Sequence, residues 1–138
     1  MIVIYIVIGF VCYFFVKWIF VAILVLILYK KNMDLTREQW QSQLNEDNDA
    51  VILDVRTDEE WQEGMIPNAQ HIDIYQQQEF LDKVNSLDKL KSYYVYCRSG
   101  GRSGQACAIM NQLGFANTYN LLGGMMKWDG EVVRPDNR

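Results

Sequence analysis

The stretch Tyr93-Tyr94-Val95-Tyr96-Cys97-Arg98-Ser99-Gly100-Gly101-Arg102-Ser103 runs from an apolar strand pattern, through a glycine-rich turn carrying two arginines, into a helical pattern. A strand that delivers a cysteine to a turn opening a helix is a way to build a reactive thiolate. The thiolate is the nucleophilic form, and it is favoured by a helix N-terminus, by neighbouring guanidinium groups and by converging backbone N–H donors. Two glycines let the backbone curl so that successive N–H groups face one anionic atom. A buried cysteine closing a core strand is the plainer alternative, and it accounts for neither arginine.

Working outward, strands and helices alternate. Thr36 with Gln39 forms a capping box for an amphipathic helix read over 34–44, with Trp40 and Leu44 on one face. Ala50-Val51-Ile52-Leu53 lacks polar alternation, as expected of a strand buried on both faces, and ends at Asp54-Val55-Arg56. Thr57 with Glu60 is a second capping box, opening a short helix that Gly64 closes. A turn over Ile66-Pro67-Asn68-Ala69 leads to a short strand at 70–72. A helix over 75–85 follows, with Phe80, Leu81 and Val84 on one side. After the Cys97 turn come a helix over 102–113 with Gly114 at its end, a last strand at 118–121, then Gly123-Gly124 and Trp128. This alternation predicts an α/β fold with an open, mainly parallel sheet flanked by helices.

Composition divides the 138 residues in two. Residues 1–29 contain one charge, Lys17, which leaves 12 basic and 17 acidic residues in the remainder. That acidic balance offers no basic surface for nucleic acid. The apolar segment is expected to be one transmembrane helix. Over residues 2–29 it would be about 42 Å long against roughly 30 Å of hydrocarbon, so Lys17 can be displaced from the midplane. A cleaved signal peptide fits less well, for want of a charged start and a small-residue cleavage site. Lys30 and Lys31, with Arg37 behind them, place the following domain on the cytoplasmic side, and Tyr29 suits the interface. The expected organisation is a membrane anchor at 1–31 and a folded domain at 32–138, a single-pass membrane protein.

Cys12, Cys97 and Cys107 have neither disulfide nor zinc spacing, which points to a reducing compartment and a free thiol. Cys107, among Ala106, Ala108 and Ile109, reads as core. His71, the only histidine, has no evident nucleophile or ligand partner and reads as structural. The acids at 46–49 and 58–63 read as solvated faces.

Taken in order, these segments resemble a single rhodanese domain over residues 34–130. Asp54-Val55-Arg56, Glu60, Gly64-Met65-Ile66-Pro67-Asn68-Ala69, the cysteine loop Cys97 to Ser103, then Gly123-Gly124 and Trp128 match the family pattern in order and spacing. Met65 replaces the family histidine, and Asn68 replaces a glycine at a position asparagine can fill with positive φ. The resemblance implies a sulfurtransferase. Cys97 would take a sulfane sulfur from thiosulfate or a persulfide, hold it as a persulfide in the loop N–H groups of residues 98–102, and pass it to cyanide, a thiol or a thioredoxin-like acceptor. Arg98, Ser99, Gly100, Gly101 and Arg102 are the expected substrate-binding residues, with Arg102 equally able to brace the loop against an acid. Asp54, Arg56 and Ser103 are candidate supports, Asp54 and Arg56 equally well as an internal ion pair. No cofactor or metal is implied, and the loop is one residue shorter than that of the related phosphatases. The alternatives are a non-catalytic binding module of the same fold, and a persulfide or redox relay to a protein partner at the membrane.

Overall fold

The computed structural model describes residues 1–28 and 33–135, without the side chains of residues 5–8, 10 and 25–28. The chain forms two units, Met1–Asn32 and Met33–Arg138.

In the first unit, Ile2–Leu28 forms one helix, α1. Among the described residues no helix is long and apolar enough to cross a membrane. The expected anchor thus finds no support in the structure and stands on the apolar sequence alone. Tyr29, Lys30 and Lys31, which carried the interface and orientation arguments, lie outside the described residues.

The second unit is built on a five-stranded sheet: β1 (Asp34–Leu35), β2 (Ala50–Asp54), β3 (Gln70–His71), β4 (Ser92–Tyr96) and β5 (Asn117–Leu121). The order is β1-β5-β4-β2-β3, and every pairing is parallel. Four helices accompany it: α2 (Arg37–Glu46), α3 (Asp58–Glu63), α4 (Gln77–Asn85) and α5 (Gly101–Gln112). Both capping boxes form, Thr36 with Gln39 on α2 and Thr57 with Glu60 on α3. Helix α5 ends in a Schellman motif. The Phe115 N–H reaches the Met110 carbonyl and the Gly114 N–H that of Asn111, both at 3.1 Å.

Two expectations are corrected. Asp34 and Leu35 are not helical. They form β1, pairing with Asn120 and Leu121, so α2 begins only after Thr36. Leu81 does not join Phe80 and Val84 in the core but is 37% exposed. A nine-residue helix buries a narrow stripe, and the stripe here is the i, i+4 pair.

Strand β4 is buried along its whole length, and its period-2 alternation divides the core. Tyr93, Val95 and Cys97 pack with Phe80 and Val84 of α4 and with Ala106, Cys107 and Met110 of α5. Tyr94 and Tyr96 face the other side, with Trp40 of α2, Tyr119, Leu121 and Ile66. Trp40 has no exposed surface, packs edge-on to Tyr94 and Trp128, and donates its ring N–H to the Tyr119 carbonyl at 3.3 Å. The carboxyl end of this central strand is where open parallel sheets leave room for a site, and Cys97 follows it directly.

Candidate active site

Cys97 lies where β4 ends, and three residues later the chain enters α5 through Gly100. Gly100 sits at φ 100°, a left-handed conformation natural to glycine. That turn aims its N–H at Cys97 Sγ, 3.1 Å away. A side chain there would also press on the Gly123 nitrogen and the Leu121 carbonyl, each 3.2 Å from a Cβ. From α5, the Ser103 hydroxyl stands 3.3 Å from the same sulfur. Burial is the largest single influence on the Cys97 thiol and pushes it up. Hydrogen bonds from the Ser103 hydroxyl and from the N–H groups of Ser103, Gly100 and Ser99 outweigh it and hold the thiol below its ordinary value. The group is therefore easier to ionise than an ordinary thiol.

Neither guanidinium donates to the sulfur in the structure. Arg102 is locked to Glu60 by two bonds, Nη1 to Oε2 at 2.7 Å and Nη2 to Oε1 at 2.8 Å, and lies over the Tyr75 ring. In the structure its planar fork is filled by that carboxylate, the arrangement of a brace. Arg98 is exposed, and among the described residues no side chain pairs with it. Ser99 and Gly101 are also exposed.

Glu60 is the residue sequence reasoning undervalued. It does not belong to a solvated face. It caps α3 by accepting from the Thr57 N–H and holds Arg102 from the far side of the loop. The Arg102 hydrogen bonds, acting against a smaller burial effect, hold its carboxyl down to about 2. A depressed carboxyl adds stability that is complete above the ordinary carboxylate range and lost as pH falls through about 2. Glu60→Gln should therefore lower Tm at pH 7 by about 4–8 °C, a difference that closes between pH 4.5 and 2. Thermal unfolding across that range checks it; a pH-independent gap would count against the ion pair.

Asp54 and Arg56 form a buried ion pair, with Arg56 Nη2 2.6 Å from Asp54 Oδ2 and 2.7 Å from the Gly64 carbonyl. They tie the end of β2 to the end of α3, as an internal brace would. Asp47 likewise leaves the solvated acidic group, accepting from the Tyr94 hydroxyl at 3.0 Å. Asn68 takes φ 64°, as its place in the turn requires, and Met65 pairs its backbone with Val133. His71 stacks on Trp61 and donates from Nε2 to the Arg56 carbonyl at 2.7 Å. Cys107 has no exposed surface, and burial pushes its thiol up to about 12.

The far wall of the loop is the glycine pair. Gly123 and Gly124 open a 3₁₀ turn, Gly124–Lys127, whose Met125 and Met126 N–H groups donate to the Cys97 and Arg98 carbonyls, each at 3.0 Å. A Cβ on Gly124 would lie 2.3 Å from the Cys97 carbonyl oxygen, so the approach needs glycine.

A parallel α/β sheet whose central strand ends in a cysteine held by converging donors defines a single cysteine-loop domain, and comparison with known proteins gives it a family. Residues 37–131 match the rhodanese-like domain, and the chain belongs to that family. It is 42% identical over 97 residues to a Bacillus subtilis protein named "Putative sulfurtransferase YtwF", covering 70% of this chain and 89% of the relative. It is 30% identical over 120 residues to a tRNA uridine(34) hydroxylase of Pelagibacter ubique, covering 79% of this chain but 40% of that protein. Among solved structures, a rhodanese-like domain protein from Staphylococcus aureus superposes with a TM-score of 0.65 at 33% identity, over 75% of this chain and 98% of that one.

Proposed function

We propose that the chain is a rhodanese-type sulfurtransferase, on the strength of one observation: the Cys97 sulfur sits where the Gly100 N–H and the Ser103 hydroxyl converge on it. In the first step the Cys97 thiolate attacks the outer sulfur of thiosulfate or a persulfide. A new S–S bond forms, the old one breaks, and its electron pair leaves with sulfite or a thiolate. In the second step cyanide or a thiolate attacks the outer sulfur of the Cys97 persulfide, and the electron pair of the broken bond returns to Cys97. The donors that hold the thiolate suit the persulfide anion equally, since an N–H nest recognises charge and not element. Arg98, exposed beside the cradle and, among the described residues, without a carboxylate partner, supplies the fork for a donor oxyanion. Cys97 itself has no exposed surface, so the groups that cover it must shift for a donor to reach the sulfur.

The proposed acceptor is a thiol, and the rim favours one carried by a protein. Met126, whose N–H bonds the Arg98 carbonyl, is 69% exposed, and Tyr75, under Arg102, is 64% exposed. Large apolar side chains beside a small-anion site suit a macromolecular partner. On the apolar sequence of residues 2–29 we also propose a single-pass anchor with the catalytic domain on the cytoplasmic face. Carbonate extraction of membranes from expressing cells should leave the chain in the pellet; release into the supernatant would remove the anchor.

The direct test of the activity is intact mass spectrometry of the full chain in detergent after thiosulfate. The expected result is a gain of one sulfur atom that cyanide removes. No gain from thiosulfate or from a small persulfide would put the non-catalytic binding module in first place.

A further inference from the structure

Ser103 has one hydroxyl proton and stands between two acceptors. Its Oγ is 2.6 Å from Asn120 Oδ1 and 3.3 Å from Cys97 Sγ. Which end of the Asn120 amide faces Ser103 is decided at the other end. There Nδ2 donates to Asp34 Oδ1 at 2.7 Å and to the Gly100 carbonyl at 3.1 Å. A flipped amide would set its oxygen against both of those acceptors, so Oδ1 must face Ser103. Asn120 is 2% exposed, and water does not compete for these bonds.

While Cys97 is a thiol the arrangement is self-consistent. Ser103 donates to Asn120, and the S–H can donate to Ser103 Oγ. Ionisation removes that S–H and makes the sulfur a charged acceptor, for which a hydroxyl donor is worth more. The Ser103 proton must then leave Asn120 to reach it. We propose that Asn120, held by Asp34, is a positioning residue that competes with the sulfur for the Ser103 proton, limiting how far that hydroxyl holds the Cys97 anion, and so sets how freely the anion attacks. A thiolate held by fewer donors is the better nucleophile, whereas one held by more is easier to form. Asn120 balances the two. This rests on Cys97 being the nucleophile of the proposed reaction.

Asn120 also steadies Gly100 through its carbonyl, and the Gly100 N–H is itself a donor to the sulfur. Losing that grip weakens support for the anion, while freeing Ser103 strengthens it. Only the second effect requires the Ser103 hydroxyl. A double-mutant cycle on the full chain in detergent separates them, using iodoacetamide alkylation read at the Cys97 peptide as a function of pH. One pH unit below the wild-type midpoint, Asn120→Ala should react about threefold faster, a midpoint shift of about half a unit downward. In a Ser103→Ala background the same change should give no acceleration. Equal factors in the two backgrounds, including no change in either, would overturn the proposal. Should Asn120→Ala not fold, Asn120→Ser enters the same cycle, since its short hydroxyl does not reach the Oδ1 position. Alkylation needs no sulfur donor, so a negative thiosulfate result leaves this cycle readable, and a negative cycle leaves the sulfurtransferase reading intact.

Discussion

Cys97→Ser is expected to abolish sulfur uptake while leaving the fold in place. The loss should be on the order of 10⁴-fold or more, down to the background of the reagents. A serine hydroxyl is not ionised near neutral pH, and it cannot carry a sulfane sulfur as a disulfide-like bond. Within the second unit no other thiol is placed to substitute, since Cys107 is sealed in the core with its thiol pushed up to about 12. The structural cost should be small, because the serine oxygen can still accept from the Gly100 N–H. Thiosulfate-to-cyanide turnover and far-UV circular dichroism, run on both proteins, check it together. Residual turnover above one part in about 10³ would mean that the nucleophile lies elsewhere.

Gly124→Ala should be the most damaging substitution outside the cysteine loop itself. The methyl would sit 2.3 Å from the Cys97 carbonyl oxygen and 2.7 Å from the Arg98 carbonyl carbon and oxygen. Those are backbone atoms and cannot swing aside as a flexible side chain does. Gly124 is also at φ 50°, where alanine costs about 1 kcal/mol before any contact is counted. Moving the loop breaks the bonds from Met125 and Met126 that hold its outer carbonyls and turns the Gly100 N–H away from the sulfur. Destabilisation of about 2–4 kcal/mol and a fall in turnover of about 100-fold are expected. The Cys97 thiol should also return toward its ordinary value, visible as an alkylation midpoint at higher pH. Gly123→Ala is the control, since the three atoms nearest its Cβ all belong to the Lys127 side chain and none to the backbone. Its effect should be several-fold milder, and equal effects would show that positive φ, and not the close approach, governs this turn.

The parts of the molecule that were legible in the sequence are those whose cause is local. Both capping boxes join residues three apart, so Thr36 with Gln39 and Thr57 with Glu60 could be read directly. The same holds for the strand-to-helix cysteine loop, for Asn68 at positive φ and for the helix stop at Gly114. The cysteine loop was visible for this reason: a glycine turn shapes its own N–H groups, whatever surrounds it.

What long-range pairing decides was not legible. Asp34 and Leu35 read as the start of a helix until β5 claims them as a strand. A two-residue strand has no period of its own, and only its partner makes it one. Arg102 looked equally suited to substrate and to a brace, and in the structure its fork is taken by Glu60, 42 residues away. Asn120 carries no local mark of its role, which depends on Asp34, 86 residues distant. The sequence by itself therefore determined the α/β alternation, the placing of Cys97 at a strand end and the family. Only the tertiary structure decided which donors hold the sulfur, because hydrogen bonds and ion pairs are chosen by proximity in space, and local spacing says nothing of residues the sheet brings together.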